Sequence, residues 1–462
     1  MQGLPLKHKS RLLRRHSRVY PFRLRGHGEG NAELLHKQYF LHRKKILNFF
    51  IDVFPEDKVS RRFKRWLFSP FLRTVLWFAV DVFYCAIKVN KKNWKYVKDE
   101  TGKGQLHQLL ECLWCAVSTP SMPENYYKFE WFNESNRIRR KDYLHRYEMK
   151  TVLYTLLYKP DEIKQAPLLS DKAKFHCWAS QHGIPVPGLL AEIKGGEIVI
   201  QERSGVTQFG ADCFVKPTVE KGGKNSMLLE CLPGKNRYQN FVTGNQGSFR
   251  ELMSPLLNDS LENGTHYLVQ SRLKNHHDLS MLSSQAAATA RIISILDEAD
   301  QPEIVEAHFR IPASEHDHVD NMHAGGLSCV VDIQTGTLGK ASDYGLQGSN
   351  NFYACHPLTN ALIEGTGLPH WVKTLELIRS AHERARPIKL VGWDVCITDD
   401  GPVIVEANLQ PCTDGLQRRH RSPLSGTRFA ELVGFHVRNT VESGHWENYI
   451  PSSELVLLAN EN

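Results

Sequence analysis

Near its C-terminus the chain reads Lys389-Leu-Val-Gly-Trp-Asp394-Val-Cys-Ile-Thr-Asp-Asp-Gly-Pro-Val-Ile-Val-Glu406-Ala-Asn408. Runs rich in β-branched residues flank Asp400-Gly401, a dipeptide typical of tight turns, and predict a hairpin of two antiparallel strands. Folded about this turn, Asp394 lies opposite Glu406 to within one residue, and Asn408 shares the face of Glu406 because side chains alternate. Like charges this close repel unless a cation joins them. The segment therefore predicts an oxygen-only site suited to Mg²⁺, with a solvated hairpin as the alternative.

Composition places the chain among ordinary globular proteins. Its 462 residues are enough for two or three packed units. Apolar residues make up 41% and charged residues 23%, as in a typical soluble protein. The ten cysteines are scattered rather than dense, which favours free thiols in a reducing compartment. No apolar stretch of the signal-peptide type follows the start, so a cytoplasmic location is predicted.

Positive charge is concentrated at the N-terminus. Residues 1–28 hold eight Lys and Arg and no acidic residue, which accounts for the whole net charge of +8. Such an arm, between residues 7 and 25, can contact an anionic membrane at its inner face or an acidic polysaccharide. Nucleic acid is disfavoured because the arm lacks regularly spaced stacking aromatics. A disordered, solubilising tail is the alternative.

The most apolar run, residues 66–89, is too interrupted to span a membrane. Pro70, Arg73, Asp81 and Lys88 break it into pieces shorter than the roughly 20 residues that a spanning helix needs. We expect helices here that pack in a core, with contact at a membrane surface as the alternative.

The residue pattern changes at Ala166-Pro167. Segments rich in aromatic residues and helical periodicity precede this point, and alternating strands, glycine turns and helices follow it. We expect a basic, partly disordered arm at 1–60, a helical region at 61–165 (with a helix over 106–117), an α+β domain at 166–447 and a tail at 448–462. In the α+β domain the predicted helices are 170–182, with Ser170 as N-cap, 248–262 and one starting near Pro369, and the predicted strands are 189–193, 197–201, 212–217, 266–272, 288–297, 303–311, 326–333 and the hairpin 388–407.

A glycine-rich segment follows one of these strands. The strand ends in Lys216, and the segment Gly222-Gly-Lys-Asn-Ser226 begins six residues later. Glycines let backbone N–H groups approach phosphate oxygens closely, and a lysine adds a point charge. The pattern is not a Walker loop, because no G-x-x-x-x-G-K-[ST] is present. It predicts a phosphate-binding flap, with a surface turn as the alternative.

The chain has, in order, a lysine at a helix start, a strand lysine, a glycine-rich flap, a hinge strand and the final Asp…Glu-x-Asn. In this order the segments resemble the ATP-grasp superfamily, and most of all its sugar-transfer-associated family, over about residues 166–435. The resemblance implies two α+β lobes that clamp the nucleotide, a flap lobe at 166–263 and a metal and substrate lobe at 264–447. The matching segments are Leu169-Ser-Asp-Lys-Ala-Lys-Phe175, Phe214-Val-Lys-Pro217, Val269-Gln-Ser-Arg272, Val319-Asp-Asn321-Met-His-Ala-Gly-Gly326, Gly392-Trp-Asp394 and Val405-Glu-Ala-Asn408.

The resemblance also implies the cofactors, ATP and Mg²⁺, and the residues that bind them. Two lysines would hold the α- and β-phosphates, the flap would cover the triphosphate, and a hinge strand and the turn after it would face adenine and ribose. These nucleotide-binding residues are Lys172, Lys216, Gly222, Gly223, Ser226, Gln270, Leu273, His277 and Asp278. The metal ligands would be Asp394, Glu406 and Asn408, holding a pair of Mg²⁺ ions (or Mn²⁺) with Glu406 between them. Gln270 stands where many members carry Glu, so ATP and GTP both stay open.

The chain is also similar to D-alanine–D-alanine ligase-like carboxylate–amine ligases. Such enzymes activate a carboxylate as an acyl phosphate, from which an amine displaces phosphate. They carry an arginine two residues before the metal-binding aspartate, where this chain has Gly392. Arg310 or Arg291 would supply that cation instead, Arg310 being favoured because it precedes Asn321 on the implied substrate side. A structural ion pair is the alternative for either arginine.

The predicted function is therefore an ATP- and Mg²⁺-dependent ligase that joins a carboxylate to an amine, in sugar or surface-polysaccharide modification. Its substrates would be a small molecule or sugar acid and an amine. The alternatives are a kinase of the same fold that phosphorylates a hydroxyl and a non-catalytic ATP-binding scaffold. Substrate identity and oligomeric state stay open.

Overall fold

The computed structural model describes residues 82–119, 121–145, 149, 154, 157, 162, 166–200, 210–219, 225–233, 237–283, 286–312 and 326–442. Several predictions fall on residues outside these ranges. They concern the basic arm, Gly222 and Gly223 of the flap, Asn321, and the tail at 448–462.

Helices occur throughout the described residues, and they include the stretches at 106–117, at 248–262 and from about 369 onward where the sequence predicts them. In chain order they are α1 (Cys85–Thr101), α2 (Gln105–Ser118), α3 (Glu124–Lys128), α4 (Glu134–Ile138), α5 (Ala166–Ser170), α6 (Lys172–Gln181), α7 (Phe249–Asn263), α8 (Trp371–Arg384), α9 (Thr413–His420) and α10 (Arg428–Glu442). Short 3-10 turns lie at Arg139–Asp142 and His277–Leu279.

The described strands form two antiparallel sheets of seven strands each. The first sheet contains β1 (Leu189–Lys194), β2 (Glu197–Ile200), β3 (Cys213–Pro217), β4 (Met227–Leu232), β5 (Arg237–Asn240), β6 (Gln246–Gly247) and β7 (Tyr267–Ser271), in the order β2-β1-β7-β3-β4-β5-β6. The second contains β8 (Thr289–Leu296), β9 (Pro302–Ile311), β10 (Leu327–Val331), β11 (Leu338–Ser342), β12 (Phe352–Tyr353), β13 (Leu390–Thr398) and β14 (Gly401–Asn408), in the order β12-β11-β10-β9-β8-β13-β14.

These elements confirm the predicted α+β class, and the predicted strands all occur within a few residues of their expected bounds. The predicted cap at Ser170 is wrong. Asp171 caps α6 instead, because its carboxylate accepts the N–H groups of Ala173 and Lys174 at 2.8 and 3.0 Å. A carboxylate is also stabilised by the helix dipole at this end. The predicted helix therefore corresponds to α6, and Ser170 is instead the last residue of the separate short helix α5.

The described residues form two compact units. One contains those within 1–160, 344–351 and 412–457, and the other those within 161–343 and 352–411. The second unit holds both sheets, and α7 packs Met253, Leu256 and Leu257 into a core with β1, β3 and β7. The domain bounds expected from the sequence stay a prediction.

The first unit has an aromatic core crossed by buried ion pairs. Tyr126, Tyr127, Trp131 and Tyr143 are each almost fully buried there. Beside them lies Glu130, which is 1% exposed. Its carboxylate accepts hydrogen bonds from Arg418 and Arg421. Such a pair is costly to break, because removing one charge leaves the other buried without compensation.

We expect Glu130→Gln to lower the free energy of unfolding by about 3 kcal/mol, the order measured when one partner of a buried ion pair is lost. The shape of the side chain is kept while the charge that balances Arg418 is removed. Urea unfolding followed by circular dichroism measures the change. The matched control is Glu431→Gln, whose carboxylate pairs with Arg428 at an exposed position and should change little. Equal effects of both substitutions would contradict the prediction.

Candidate functional site

A β-bulge brings the two carboxylates of the hairpin face to face. From Thr398 and Gly401 at the turn, strands β13 and β14 pair in unbroken register as far as Val395 and Ile404. Continued unchanged, that register would place Asp394 opposite Val405. The pairing shifts by one residue there, and Asp394 lies opposite Glu406, as the sequence predicted. Bulges often re-aim side chains in this way next to functional sites.

Asp394 is the buried member of the pair, with 2% of the residue exposed. Arg291, from the neighbouring strand β8, donates to both oxygens of its carboxylate. Arg310, from β9, donates to Oδ2 at 2.6 Å. Burial alone would raise the pKa of Asp394, but the two guanidinium groups outweigh it and hold that pKa below its ordinary value. Asp394 is therefore an anion at any physiological pH.

Arg310 is itself positioned by a side chain. Its Nε and Nη2 donate to the hydroxyl of Thr289, at 3.0 and 2.6 Å, and Thr289 is its cross-strand partner on β8. Arg291 and Arg310 thus form the ion pairs that were the structural alternative for them. A role at an acyl phosphate stays a prediction for either residue.

Glu406 and Asn408 lie on the edge strand β14 and are less buried than Asp394. The Glu406 side chain is 32% exposed, with Arg291 at 3.8 Å and Lys172 at 4.0 Å from its carboxylate oxygens. Oδ1 of Asn408 accepts the N–H of Gln410 at 2.9 Å and keeps a second lone pair, since an amide oxygen has two. Glu406 is therefore the carboxylate of this site that solvent can reach.

This donor set fits a hard cation. Its atoms are carboxylate and amide oxygens, which Mg²⁺ and Mn²⁺ prefer over nitrogen or sulfur. Glu406 is accessible, and the cations beside it, Lys172 and Arg291, lie near the outer limit of ion pairing. Asp394 differs, because both of its oxygens already accept from arginines. Metal binding at Asp394 would therefore share or displace those hydrogen bonds.

Two lysines, one on a strand of the first sheet and one on helix α6, reach strand β14. Lys216, on β3, donates from Nζ to the carbonyl of Val405, the residue at the bulge, at 3.3 Å. Lys172 is the first residue of α6 and approaches Glu406. Burial, with the charge of Lys172 adding to it, lowers the pKa of Lys216 to about 8. Two cations therefore lie beside the carboxylates, an arrangement that can bind a polyanion such as a phosphate chain.

The predicted hinge residues occupy the segment from β7 to the next turn. Gln270 is buried in β7 opposite Phe214, and Leu273 is half-buried just past that strand. His277 is exposed, and its Nδ1 donates at 2.8 Å to the carboxylate of Asp399 in the hairpin turn, a hydrogen bond that raises the pKa of His277. Asp278 is exposed beside it. Their roles with adenine and ribose stay predictions, as does that of the half-buried Ser226.

Sequence reasoning missed how these charges line up. His308, Arg291, Asp394 and Glu406 are cross-strand partners in turn, one each on β9, β8, β13 and β14. A Cβ added at Gly392 would lie 3.3 Å from Cδ of Arg291, so glycine leaves room for that arginine to cross β13. The available signal was Arg291 itself, because a charge inside an otherwise apolar buried strand needs a partner.

Comparison with known protein families gives a match over more than half of the chain. The family model described as sugar-transfer associated ATP-grasp matches residues 150–425. Among curated proteins no match was found.

Several solved structures resemble the chain at low identity. D-alanyl-alanine synthetase A from Vibrio cholerae is 13% identical with a TM-score of 0.36, covering 60% of this chain and 67% of that one. The D-alanine-D-alanine ligase from Coxiella burnetii is 8% identical with a TM-score of 0.36, covering 61% of each chain. The L-amino acid ligase from Bacillus licheniformis is 8% identical with a TM-score of 0.34, covering 62% of this chain and 52% of that one. The chain thus spans between half and two thirds of these structures, and likeness at this level carries nothing about activity.

The two carboxylates are expected to differ in what they contribute to stability. Asp394→Asn removes the charge that balances the buried Arg291 and the half-buried Arg310, so we expect the free energy of unfolding to fall by about 3–5 kcal/mol. Glu406→Gln removes a more exposed carboxylate whose cationic neighbours are more distant, and it should cost less than about 1 kcal/mol. Urea unfolding of the two variants beside wild type measures the difference. A loss for Glu406→Gln as large as for Asp394→Asn would contradict this division.

Proposed function

Because the chain belongs to the sugar-transfer associated ATP-grasp family, we propose that it is an ATP- and Mg²⁺-dependent ligase that joins a carboxylate to an amine. The fold is the α+β ATP-grasp fold, and the family is one of ATP-dependent enzymes. The observation that carries the proposal is the meeting of Lys172 and Lys216 with Asp394 and Glu406 around β14. Cations and oxygen donors at one edge of the second sheet suit a nucleoside triphosphate with its metal ion.

Each part of the cluster has a place in the proposed reaction. Lys172 and Lys216 bind the phosphates of ATP and neutralise their charge. Asp394, Glu406 and Asn408 would hold Mg²⁺, which when bound neutralises charge on the transferred phosphate. Phosphoryl transfer depends mostly on positioning and charge neutralisation, so no covalent protein nucleophile is needed. The substrate carboxylate attacks the γ-phosphate, ADP leaves, and the amine then displaces phosphate from the acyl phosphate.

The arginines supply the fixed cations of the acceptor side in this proposal. Arg310 is held by Thr289 and Asp394 and is the first choice to contact the acyl phosphate, with Arg291 beside it. Asn321, outside the described residues, would contribute on the substrate side. Gln270, Leu273, His277 and Asp278 would line adenine and ribose, and Gly222, Gly223 and Ser226 would cover the triphosphate.

The substrates are proposed from the chemistry and from the family's description. An acyl phosphate is an activated carboxylate that an amine can attack, so one substrate supplies a carboxylate and the other an amine. The family is described as associated with sugar transfer. Together these support a sugar acid or surface-polysaccharide precursor as the carboxylate and a small amine as its acceptor.

A cytoplasmic place beside a membrane fits such a substrate. Among the described residues, no helix is long and apolar enough to cross a bilayer. The eight Lys and Arg of residues 1–28 would bring the protein to an anionic lipid surface or an acidic polysaccharide.

Calorimetric titration with ATP tests nucleotide binding. We expect Mg²⁺-dependent binding by wild type that Glu406→Gln weakens at least tenfold, because a charged metal ligand is lost. The matched control is Glu364→Gln, whose carboxylate is 48% exposed and pairs loosely with Lys340, and it should bind as wild type does. No binding by wild type would remove the enzyme proposal and favour a scaffold.

A phosphate-release assay over pairs of sugar acids and amines then tests the reaction. The ligase requires both substrates together, and release of one phosphate with each ADP. Transfer of phosphate to a hydroxyl product, without free phosphate, would instead identify a kinase.

The affinity for ATP is expected to fall as pH rises above 8. The pKa of Lys216 is lowered to about 8, so its ammonium is present below that pH and lost above it. Bound phosphate favours the ammonium, and the affinity should therefore drop by up to about tenfold per pH unit above 8. Calorimetry between pH 7 and 9.5 measures this. Lys216→Arg, which stays charged, should flatten the dependence, and Lys172→Arg should not. Equal pH profiles for wild type and Lys216→Arg would contradict the assignment.

A further inference from the structure

Helix α2 carries an exposed apolar stripe. Leu106, Leu110, Trp114 and Val117 follow one another at spacings of four, four and three residues, which places them on one face. They are 69%, 59%, 53% and 46% exposed. Contiguous exposed apolar surface on a folded protein marks a place of interaction.

The stripe is not part of the core. The opposite face of α2 carries Gln108, Cys112 and Cys115, all fully buried, and the two cysteines belong to the aromatic core of the first unit. The helix is therefore already anchored on one side. Its sequence holds a single acidic residue, Glu111, which pairs with Lys103 and Arg137 at 2.7 and 3.1 Å. No unbalanced negative charge accompanies the stripe along this helix.

Cations and further apolar residues lie beside the stripe. The guanidinium of Arg140 stacks over the Trp114 ring at 4.2 Å, which places the turn Arg139–Asp142 next to α2. Arg139 and Lys141 of this turn are exposed, and so is Ile138, at 69%. Tryptophan and arginine both carry an apolar body and a polar tip, and such side chains suit the level of lipid headgroups.

Helix α1, which packs against α2, also exposes cations and apolar side chains. Lys88, Lys91, Lys95 and Lys98 are exposed along one of its faces, and the helix has no acid before Asp99. At its start Phe83, Tyr84 and Ile87 are 48%, 61% and 43% exposed. The described end of the apolar run at 66–89 is therefore partly buried and partly exposed. Val82 and Ala86 are buried, whereas these three residues are exposed.

We propose that the α2 stripe is a membrane-contact surface that inserts Leu106, Leu110, Trp114 and Val117 among the headgroups of an anionic bilayer. The lysines of α1 and the arginines beside Trp114 complement the lipid charge. A second copy of the chain fits less well, because Asp142, the acid of the turn beside Trp114, already pairs with Arg139, and self-pairing of this surface would bring the remaining cations together. The proposal does not depend on the ligase reaction.

Co-sedimentation with vesicles tests the surface on the full chain. The vesicles are phosphatidylcholine with about 30% phosphatidylglycerol, an anionic lipid that attracts basic segments, and pure phosphatidylcholine serves as the uncharged comparison. The informative variant is Leu110→Glu, which puts a charge at an exposed position. Its matched control is Val372→Glu, on α8 of the other unit, where the side chain is 66% exposed.

We expect wild type and Val372→Glu to bind the anionic vesicles alike and Leu110→Glu to bind about tenfold more weakly, because a leucine that enters the bilayer is exchanged for a charge. Binding of Leu110→Glu equal to wild type would overturn the proposal and leave any attachment to the basic arm. Two other results would also overturn it. A melting temperature lowered by Leu110→Glu and not by Val372→Glu, without vesicles, would mean that the same chain covers the stripe. A dimer lost in Leu110→Glu, with vesicle binding unchanged, would assign the stripe to a second copy.

A change in ATP binding is not expected for either variant. Calorimetric titration with Mg-ATP therefore separates failure of this surface from failure of the proposed reaction.

Discussion

The negative charge of Asp394 lies at a buried position, and a charge there is tolerated only where cations meet it. Arg291 on β8 and Arg310 on β9 meet it from two neighbouring strands. The strand order β9-β8-β13 of the second sheet therefore places two positive charges on the strands next to the buried negative charge. Once Asp394 is balanced in this way, the next strand can carry Glu406 opposite it without leaving two uncompensated carboxylates side by side.

The bulge at Val405 gives Glu406 and the neighbouring carbonyl their places. It turns Glu406 toward Asp394 and leaves the Val405 carbonyl to accept from Lys216. Because β14 is an edge strand, it also tolerates Pro402, which could not donate to a further strand. The accessible carboxylate and the buried lysine thus meet at the edge strand of the second sheet. In the proposed ligase this is where the triphosphate and its metal would lie.

The first unit uses charge in two ways that burial separates. Glu130 and Arg418 form a pair shielded from solvent, where loss of either charge costs stability. The lysines of α1 and the apolar stripe of α2 are exposed, where they contribute little to folding and are available to a partner. The aromatic core contacts α2 through Cys112 and Cys115, so the stripe lies on a helix that is anchored along its opposite face.

The sequence by itself determined the strands, the hairpin and, to within one residue, the opposition of Asp394 and Glu406, because alternation of side chains and the Asp400-Gly401 turn act over a few residues. Only the tertiary structure decided which cations serve that pair. Arg291 lies 103 residues and Arg310 84 residues before Asp394, and only the order of strands in the sheet brings them together. The lowered pKa of Lys216 arises in the same way, since burial is a property of the packed protein and no local pattern encodes it.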